Sequence, residues 1–266
     1  MPRVDNKGNS IHYRVEGNGP PLVLVHGISD SSDVWYERGY VAALKPNYRL
    51  VLIDARGHGQ SDKPHDPQSY TVDKVASDIV AVLDDLGMKT AAYWGYSLGG
   101  RYGFALARHA LDRVACFVIG GAPAGTESAH PAEPGNEDPM MTALRGGPDE
   151  FIKLWGEWVT PPLRERTLAN DYDALIACVQ GRRLNTKGHS DVIRNIAVPT
   201  LIYAGSADPI HNPAQQAASE IPGAQFVSLP GLDHVALYFR TDLVLPIVEP
   251  FLAEVLLRPA QSTAAS

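Results

Sequence analysis

The chain has 266 residues, 44% of them hydrophobic and 20% charged, which is enough apolar material for one sizeable core. Its formal net charge of −7 argues against non-specific nucleic-acid binding, which needs a basic face, and its two cysteines, Cys116 and Cys178, cannot build a disulfide framework. No run approaches the ~18–20 unbroken apolar residues that a transmembrane helix needs, and the opening MPRVDNKGNS lacks the basic-then-apolar order of a secretory signal, so a cytoplasmic protein is expected.

In chain order, residues 9–16 (NSIHYRVE) alternate apolar and polar, as a half-buried strand does. Two nearly continuous apolar runs follow, at 21–27 (PLVLVHG) and 48–54 (YRLVLID), and suit strands covered on both faces. From Thr71 to Leu86, the residues Val72, Val75, Ile79, Val82, Leu83 and Leu86 share one helical face, with Thr71 able to cap the start and Gly87 the end. A strand at 90–95 (TAAYWG) runs straight into a helix, SLGGRYGFALARHA, and 113–121 (RVACFVIGG) is another buried strand. Strands at 198–205 and 224–230 complete the set, and the stretch from His234 to about Leu257 reads mainly helical, with Pro246 and Pro250 expected to break or kink it. Repeated strand–helix–strand units imply a mostly parallel, twisted sheet with right-handed crossovers and helices on both faces.

One segment interrupts this rhythm. Between Gly121 and Ala197 no strand pattern occurs, only a Pro/Gly-rich stretch (APAGTESAHPAEPGNEDP) and short helical patterns, of which 151–159 and 171–183 are clearest. An insertion of this size between two sheet strands is expected to sit above the sheet as a helical cap over 122–196, on a core made of 1–121 and 197–266. The last residues, PAQSTAAS, read as a disordered tail.

Gly95-Tyr96-Ser97-Leu98-Gly99 fits Gly-x-Ser-x-Gly, a short pattern that gains weight here because it follows a strand and opens a helix. So tight a turn leaves no room for side chains on its flanks, and the glycines remove them. Ser97 is thereby held at a helix N-terminus, where free N–H groups and the helix dipole favour negative charge on an attacked carbonyl. A serine hydroxyl is a weak nucleophile and needs a base, which in turn needs an orienting carboxylate. His234, just after the last strand, is the best base. Asp208, just after the preceding strand, is the best acid, since both positions reach the same rim of the sheet as Ser97. Asp233 and His211 compete for these roles, but the first adjoins His234 in sequence and should point elsewhere, and the second suits a solvated loop. The N–H of Leu98 and that of Ile28, in the loop His26-Gly27-Ile28-Ser29, are the expected oxyanion donors, with His26 structural. Met140, Met141, Phe151, Leu154, Trp155, Trp158 and Val235 are candidates to line an apolar substrate pocket. There is no phosphate loop, no His-Glu-x-x-His and no paired-cysteine metal site, so neither a metal nor a cofactor is expected.

Taken together, HGIS after a buried strand, DARGHGQSD (54–62), GYSLGG (95–100), GSADPI (205–210) and LDHVAL (232–237) resemble the α/β-hydrolase superfamily over nearly the whole chain outside 122–196. The resemblance implies that Asp54, Arg56 and His58 form a structural loop. Serine at 97 sets the chain apart from the haloalkane dehalogenases and epoxide hydrolases of this fold, which place an aspartate there. The expected activity is hydrolysis of a carboxylic ester or lactone of a small, fairly apolar metabolite through an acyl-enzyme on Ser97, with that small molecule as partner, no nucleic acid and no membrane span, and the oligomeric state left open. Three alternatives stand beside it. Carbon–carbon bond hydrolases of ring-cleavage products usually carry a His-Gly-x-Gly-Pro-Gly loop, which HGISDSS is not. Cofactor-free haloperoxidases or perhydrolases commonly have tryptophan where Ile28 stands. A ligand-sensing protein of this fold would keep the same serine, acid and histidine.

Overall fold

In the computed structural model, which describes residues 2–125, 138–184 and 188–257, the alternating segments form one eight-stranded sheet. Its strands are β1 (Arg3–Asn6), β2 (Asn9–Glu16), β3 (Pro21–Val25), β4 (Arg49–Ile53), β5 (Ala91–Tyr96), β6 (Val114–Gly120), β7 (Thr200–Gly205) and β8 (Gln225–Leu229), in the spatial order β1-β2-β4-β3-β5-β6-β7-β8. All pairings from β4 to β8 are parallel, whereas β2 runs antiparallel to β4 and β1 antiparallel to β2. β1 has no counterpart in the sequence reading. It joins β2 through Lys7-Gly8, both with positive φ (54° and 82°), the two-residue turn whose twist matches paired strands.

The helices are α1 (Asp33–Glu37), α2 (Tyr40–Leu44), α3 (Val72–Asp85), α4 (Leu98–His109), α5 (Pro139–Arg145), α6 (Pro148–Phe151), α7 (Pro161–Leu168), α8 (Tyr172–Arg183), α9 (His211–Glu220), α10 (His234–Phe239) and α11 (Thr241–Leu256). Alternate strand residues divide between two cores. Val23, Val25, Val51, Ile53, Phe117 and Ile119 face α3, α4 and α9. Leu22, Leu24, Leu50, Leu52, Trp94 and Val118 face α1, α2 and α11. Each such side chain, taken fully from water, contributes roughly 1.5–3 kcal/mol, and burial on both faces explains the unbroken apolar runs.

Among the described residues, four α-helices, α5 to α8, stand between β6 and β7. Of the Pro/Gly-rich stretch before them, residues 126–137 lie outside the described residues, as does the tail PAQSTAAS. α8 matches the expected 171–183. The pattern at 151–159 is only in part regular helix: α6 ends at Phe151 and a 3-10 segment, Ile152–Trp158, follows with a kink at Gly156 (φ 53°, ψ −130°). α8 docks on the turn Pro67–Tyr70 so closely that a Cβ on Gly181 would lie 2.2 Å from the Pro67 carbonyl oxygen. Beyond His234 the helix breaks at Arg240 (φ −92°, ψ 61°), and α11 then runs on through Pro246 and Pro250. Both prolines, four residues apart, are exposed, so the carbonyls they orphan at 242 and 246 belong to the solvent side, where water can satisfy them.

Candidate active site

β5 delivers Ser97 into the turn before α4 with φ 52° and ψ −105°, a backbone region seldom visited outside glycine. The packing around it enforces this. A Cβ on Gly95 would sit 2.2 Å from the Gly99 carbonyl oxygen, and one on Gly99 2.2 Å from that of Val25. The Ser97 N–H is tied to the Gly120 carbonyl at 2.8 Å and the Gly99 N–H to that of His26 at 3.1 Å, so the turn is pinned to both neighbouring strands.

Three side chains from three separate segments form one hydrogen-bonded row. His234 Nε2 lies 2.9 Å from Ser97 Oγ, and its Nδ1 lies 2.6 Å from Asp208 Oδ2. The other carboxylate oxygen of Asp208 accepts the Ile210 N–H at 3.0 Å, which fixes the acid's orientation, and Asp208 is buried while Ser97 and His234 keep partial exposure. Of the competing residues, Asp233 caps α10 by accepting the Ala236 N–H at 2.7 Å. His211 Nε2 bonds Ser228 Oγ at 2.8 Å, and neither residue joins the row.

The N–H groups of Leu98 and Ile28 both belong to residues that face the space beside Ser97, and neither has a hydrogen-bond partner among the described residues. His26 stands behind them. Its Nδ1 bonds the Gly27 carbonyl at 2.7 Å and its Nε2 accepts the Ala55 N–H at 3.1 Å, which occupies both ring nitrogens with backbone. Further back, Asp54 accepts the N–H groups of Ser32 (2.7 Å) and Gln60 (2.8 Å) and meets His12 Nδ1 at 2.8 Å. Burial opposes its charge, but the hydrogen bond with His12 and those two N–H groups hold its carboxyl well below the usual carboxylate range. Arg56 forms a two-pronged pair with Asp78 at 2.6 and 2.9 Å, and burial pushes His58 down to about 3, so that it is neutral near pH 7. This loop braces the segment carrying Ile28.

A cavity of about 850 Å³, counting its open mouth, lies over the row. Met140, Phe151, Leu154, Trp155 and Val235 line it as the sequence reading expects. Met141 and Trp158 do not. Successive residues on a helix point about 100° apart, so with Met140 on the cavity Met141 turns into the core, where it is 2% exposed. The kink at Gly156 takes Trp158 off the face of Trp155, and its ring stacks on Phe239 at 5.2 Å.

Sequence reasoning missed several contributors. Val179 and Arg182 reach the cavity from α8. Tyr96 donates its hydroxyl to the His234 carbonyl at 2.6 Å and stacks on Tyr238 at 4.3 Å, while the Tyr238 hydroxyl accepts the Gly27 N–H at 3.3 Å. Burial holds both phenols far above their ordinary pKa, so both remain protonated. No signal in the sequence marks the two tyrosines, because each meets its target across more than a hundred residues. Among the described residues no group of three or more His, Cys, Asp or Glu is placed to hold a metal ion, and no helix is long and apolar enough to cross a membrane.

The family model described as the alpha/beta hydrolase fold matches residues 20–175. A non-heme haloperoxidase of Rhodococcus erythropolis is 29% identical, over 92% of this chain and 96% of that protein. Among solved structures, an esterase from Rhodococcus sp. ECU1013 superposes with a TM-score of 0.80 at 29% identity, covering 95% of this chain and 98% of that one. The enol-lactonase from Burkholderia xenovorans gives a TM-score of 0.79 at 25% identity, covering 95% and 100%. With the sheet, the strand–serine–helix turn and a family match over more than half its length, the chain belongs to the alpha/beta hydrolase fold family.

Proposed function

We propose that the protein cleaves a carboxylic ester or lactone of a small molecule through an acyl-enzyme on Ser97. The observation that carries this reading is the row from Ser97 Oγ through His234 to Asp208, at 2.9 and 2.6 Å, opening on an apolar cavity. Ser97 Oγ attacks the substrate carbonyl as His234 Nε2 takes its proton, and the N–H groups of Ile28 and Leu98 receive the oxyanion. His234 then returns the proton to the leaving alkoxide, which departs as the alcohol. Water, activated by the same imidazole, adds to the acyl-enzyme, and its collapse frees the acid and the Ser97 hydroxyl. Asp208 keeps the Nδ1 proton in place and stabilises the imidazolium that forms in each half. Residues 122–196 serve as a cap that sizes the acyl pocket over a core of 1–121 and 197–266, and no cofactor takes part. Cys116 and Cys178, both buried free thiols, suit a reducing compartment such as the cytoplasm.

The test is hydrolysis of p-nitrophenyl esters from acetate to decanoate by the wild type and by Ser97→Ala. Serine-dependent turnover with a chain-length optimum is expected, and Ser97→Ala should lose roughly three orders of magnitude or more. Full activity in that variant would overturn the mechanism. The likeness to a haloperoxidase gives a second reading, in which hydrogen peroxide replaces water on the acyl-enzyme. Turnover that appears only with added peroxide would favour it.

A further inference from the structure

The wall of the cavity beside Ser97 is apolar over most of its area, yet Arg101 and Arg182 also face it. Both also face a second cavity, of about 590 Å³, so they stand where the two spaces meet. Arg101 lies one helical turn beyond Ser97, with its N–H on the Ser97 carbonyl at 3.1 Å and a guanidinium N–H donating to the Gly125 carbonyl at 2.8 Å.

Arg182, in the last turn of α8, differs. The acid that attracts it, Asp138, has both oxygens engaged elsewhere: Oδ1 accepts the N–H groups of Met140 (2.7 Å) and Met141 (3.3 Å), and Oδ2 pairs with Arg183. The Arg182 guanidinium forms no hydrogen bond or ion pair with any described residue. Burial, together with the like charge of Arg183, pushes its pKa below the ordinary arginine value, but a guanidinium stays charged at any physiological pH. A cation drawn out of water without a counter-ion costs free energy, and a bound anion relieves that cost.

We propose that Arg182, with Arg101 beside it, is an anion subsite of the Ser97 cavity, and that the substrate is an ester or lactone bearing a carboxylate. This rests on the hydrolase reading above and narrows its substrate class. The planar guanidinium fork matches a carboxylate, and one uncompensated cation fits one negative charge. The apolar wall formed by Met140, Leu154, Trp155 and Val179 holds the carbon chain between that charge and the reacting carbonyl. In a chain of net charge −7, two arginines on one cavity also draw an anion to a place the rest of the surface repels.

The test compares kcat/KM for mono-p-nitrophenyl glutarate and adipate with that for neutral p-nitrophenyl esters of equal chain length, in the wild type, Arg182→Gln and Arg182→Lys. The wild type should prefer the carboxylated esters. The ratio of carboxylated to neutral should drop roughly ten- to hundredfold in Arg182→Gln, and less in Arg182→Lys, as expected for a hydrogen bond to a charged group. Reading the ratio cancels any general loss from imperfect folding. Calorimetric binding of monomethyl glutarate against methyl pentanoate, on Ser97→Ala with and without Arg182→Gln, gives a readout free of turnover. Neutral esters cleaved with no preference for a carboxylate, and no Arg182-dependent binding, overturn the subsite and leave the hydrolase reading standing. Arg182-dependent binding of monomethyl glutarate without turnover of any ester keeps the subsite and overturns the hydrolase reading.

Discussion

At the scale of single residues, the choice between two neighbouring carboxylates is decided by what each oxygen touches. Asp208 gives one oxygen to His234 and the other to the Ile210 N–H, while Asp233 spends its own on the first turn of α10. Asp208→Asn should therefore lower kcat roughly 10³–10⁴-fold through loss of the correct imidazole tautomer. Asp233→Asn, which still caps a helix, should stay within a few-fold of wild type. Steady-state kinetics on one p-nitrophenyl ester checks both, and the opposite ranking would move the acid. Ser97, Asp208 and His234 are legible in the sequence because each sits in a short motif at a strand end. Tyr96 and Tyr238 are not, since their partners come from elsewhere in the fold, and nor is Arg182, which only the docking of α8 brings to the cavity. The pair Met140 and Met141 shows the finer limit: composition marks both as apolar, but only the rotation of α5 decides which one meets the cavity.

Among the elements, α7 carries the tie between the helices after β6 and the loop that holds Ile28. Arg166 meets the fully buried Asp30 at 2.6 Å and Glu37 at 2.7 Å, and Asn170 just beyond donates to the Ser29 carbonyl at 2.7 Å. The Arg166–Asp30 contact is short but lacks the angle of a hydrogen bond, so it acts as an ion pair. Burial opposes the charge of Arg166, yet Asp30 and Glu37 raise its pKa above the ordinary value. Arg166→Met leaves the Asp30 carboxylate buried without a counter-ion, and should cost about 3–5 kcal/mol in urea unfolding. Adding Asp30→Asn should recover much of that loss; an additive double mutant would show that the pair is not coupled. Strands and long amphipathic helices were readable because their periods of 2 and 3.6 survive in the sequence. The segment 151–159 was less so, because the positive φ of Gly156 ends a periodicity that the residue types continue. β1 leaves no mark in the sequence, since four residues, mostly polar or charged, carry too little alternation to signal a strand. At Pro246 and Pro250 the usual rule for helix ends yields to exposure, which lets water replace the missing bonds.

For the molecule as a whole, the buried histidines set how stability responds to acid. Burial pushes His58 down to about 3 and, aided by the charge of Arg108, His189 down to about 4. An unfolded histidine takes up its proton near pH 6.5, so between that value and the folded pKa the unfolded chain binds more protons and stability falls with falling pH. Each group contributes a slope of up to about 1.4 kcal/mol per pH unit in that window. His65, whose pKa its hydrogen bond with Asp171 raises at the surface, works in the opposite sense. Lower on the scale, Asp54 contributes stability that is present above its unfolded pKa and is lost as pH drops through its depressed folded one. Unfolding free energies measured in urea at pH 7 and pH 5 should show a clear decline, and His58→Gln should flatten it; a level profile would contradict this account. The parallel part of the sheet, with helices on both faces, follows from right-handed crossovers and is legible in the strand–helix alternation, whereas the order of its strands is not. One feature of the rim that gathers Ser97, Asp208 and His234 reaches beyond chemistry. Ser97 holds φ 52° and ψ −105° in the resting protein, a strain on the order of 1–3 kcal/mol that persists whether or not anything is bound. Selection for turnover and selection for heat tolerance thus oppose each other at this residue. A lineage adapting to hotter surroundings would have to gain its robustness in the sheet, the outer helices or the loops, leaving the elbow as it is.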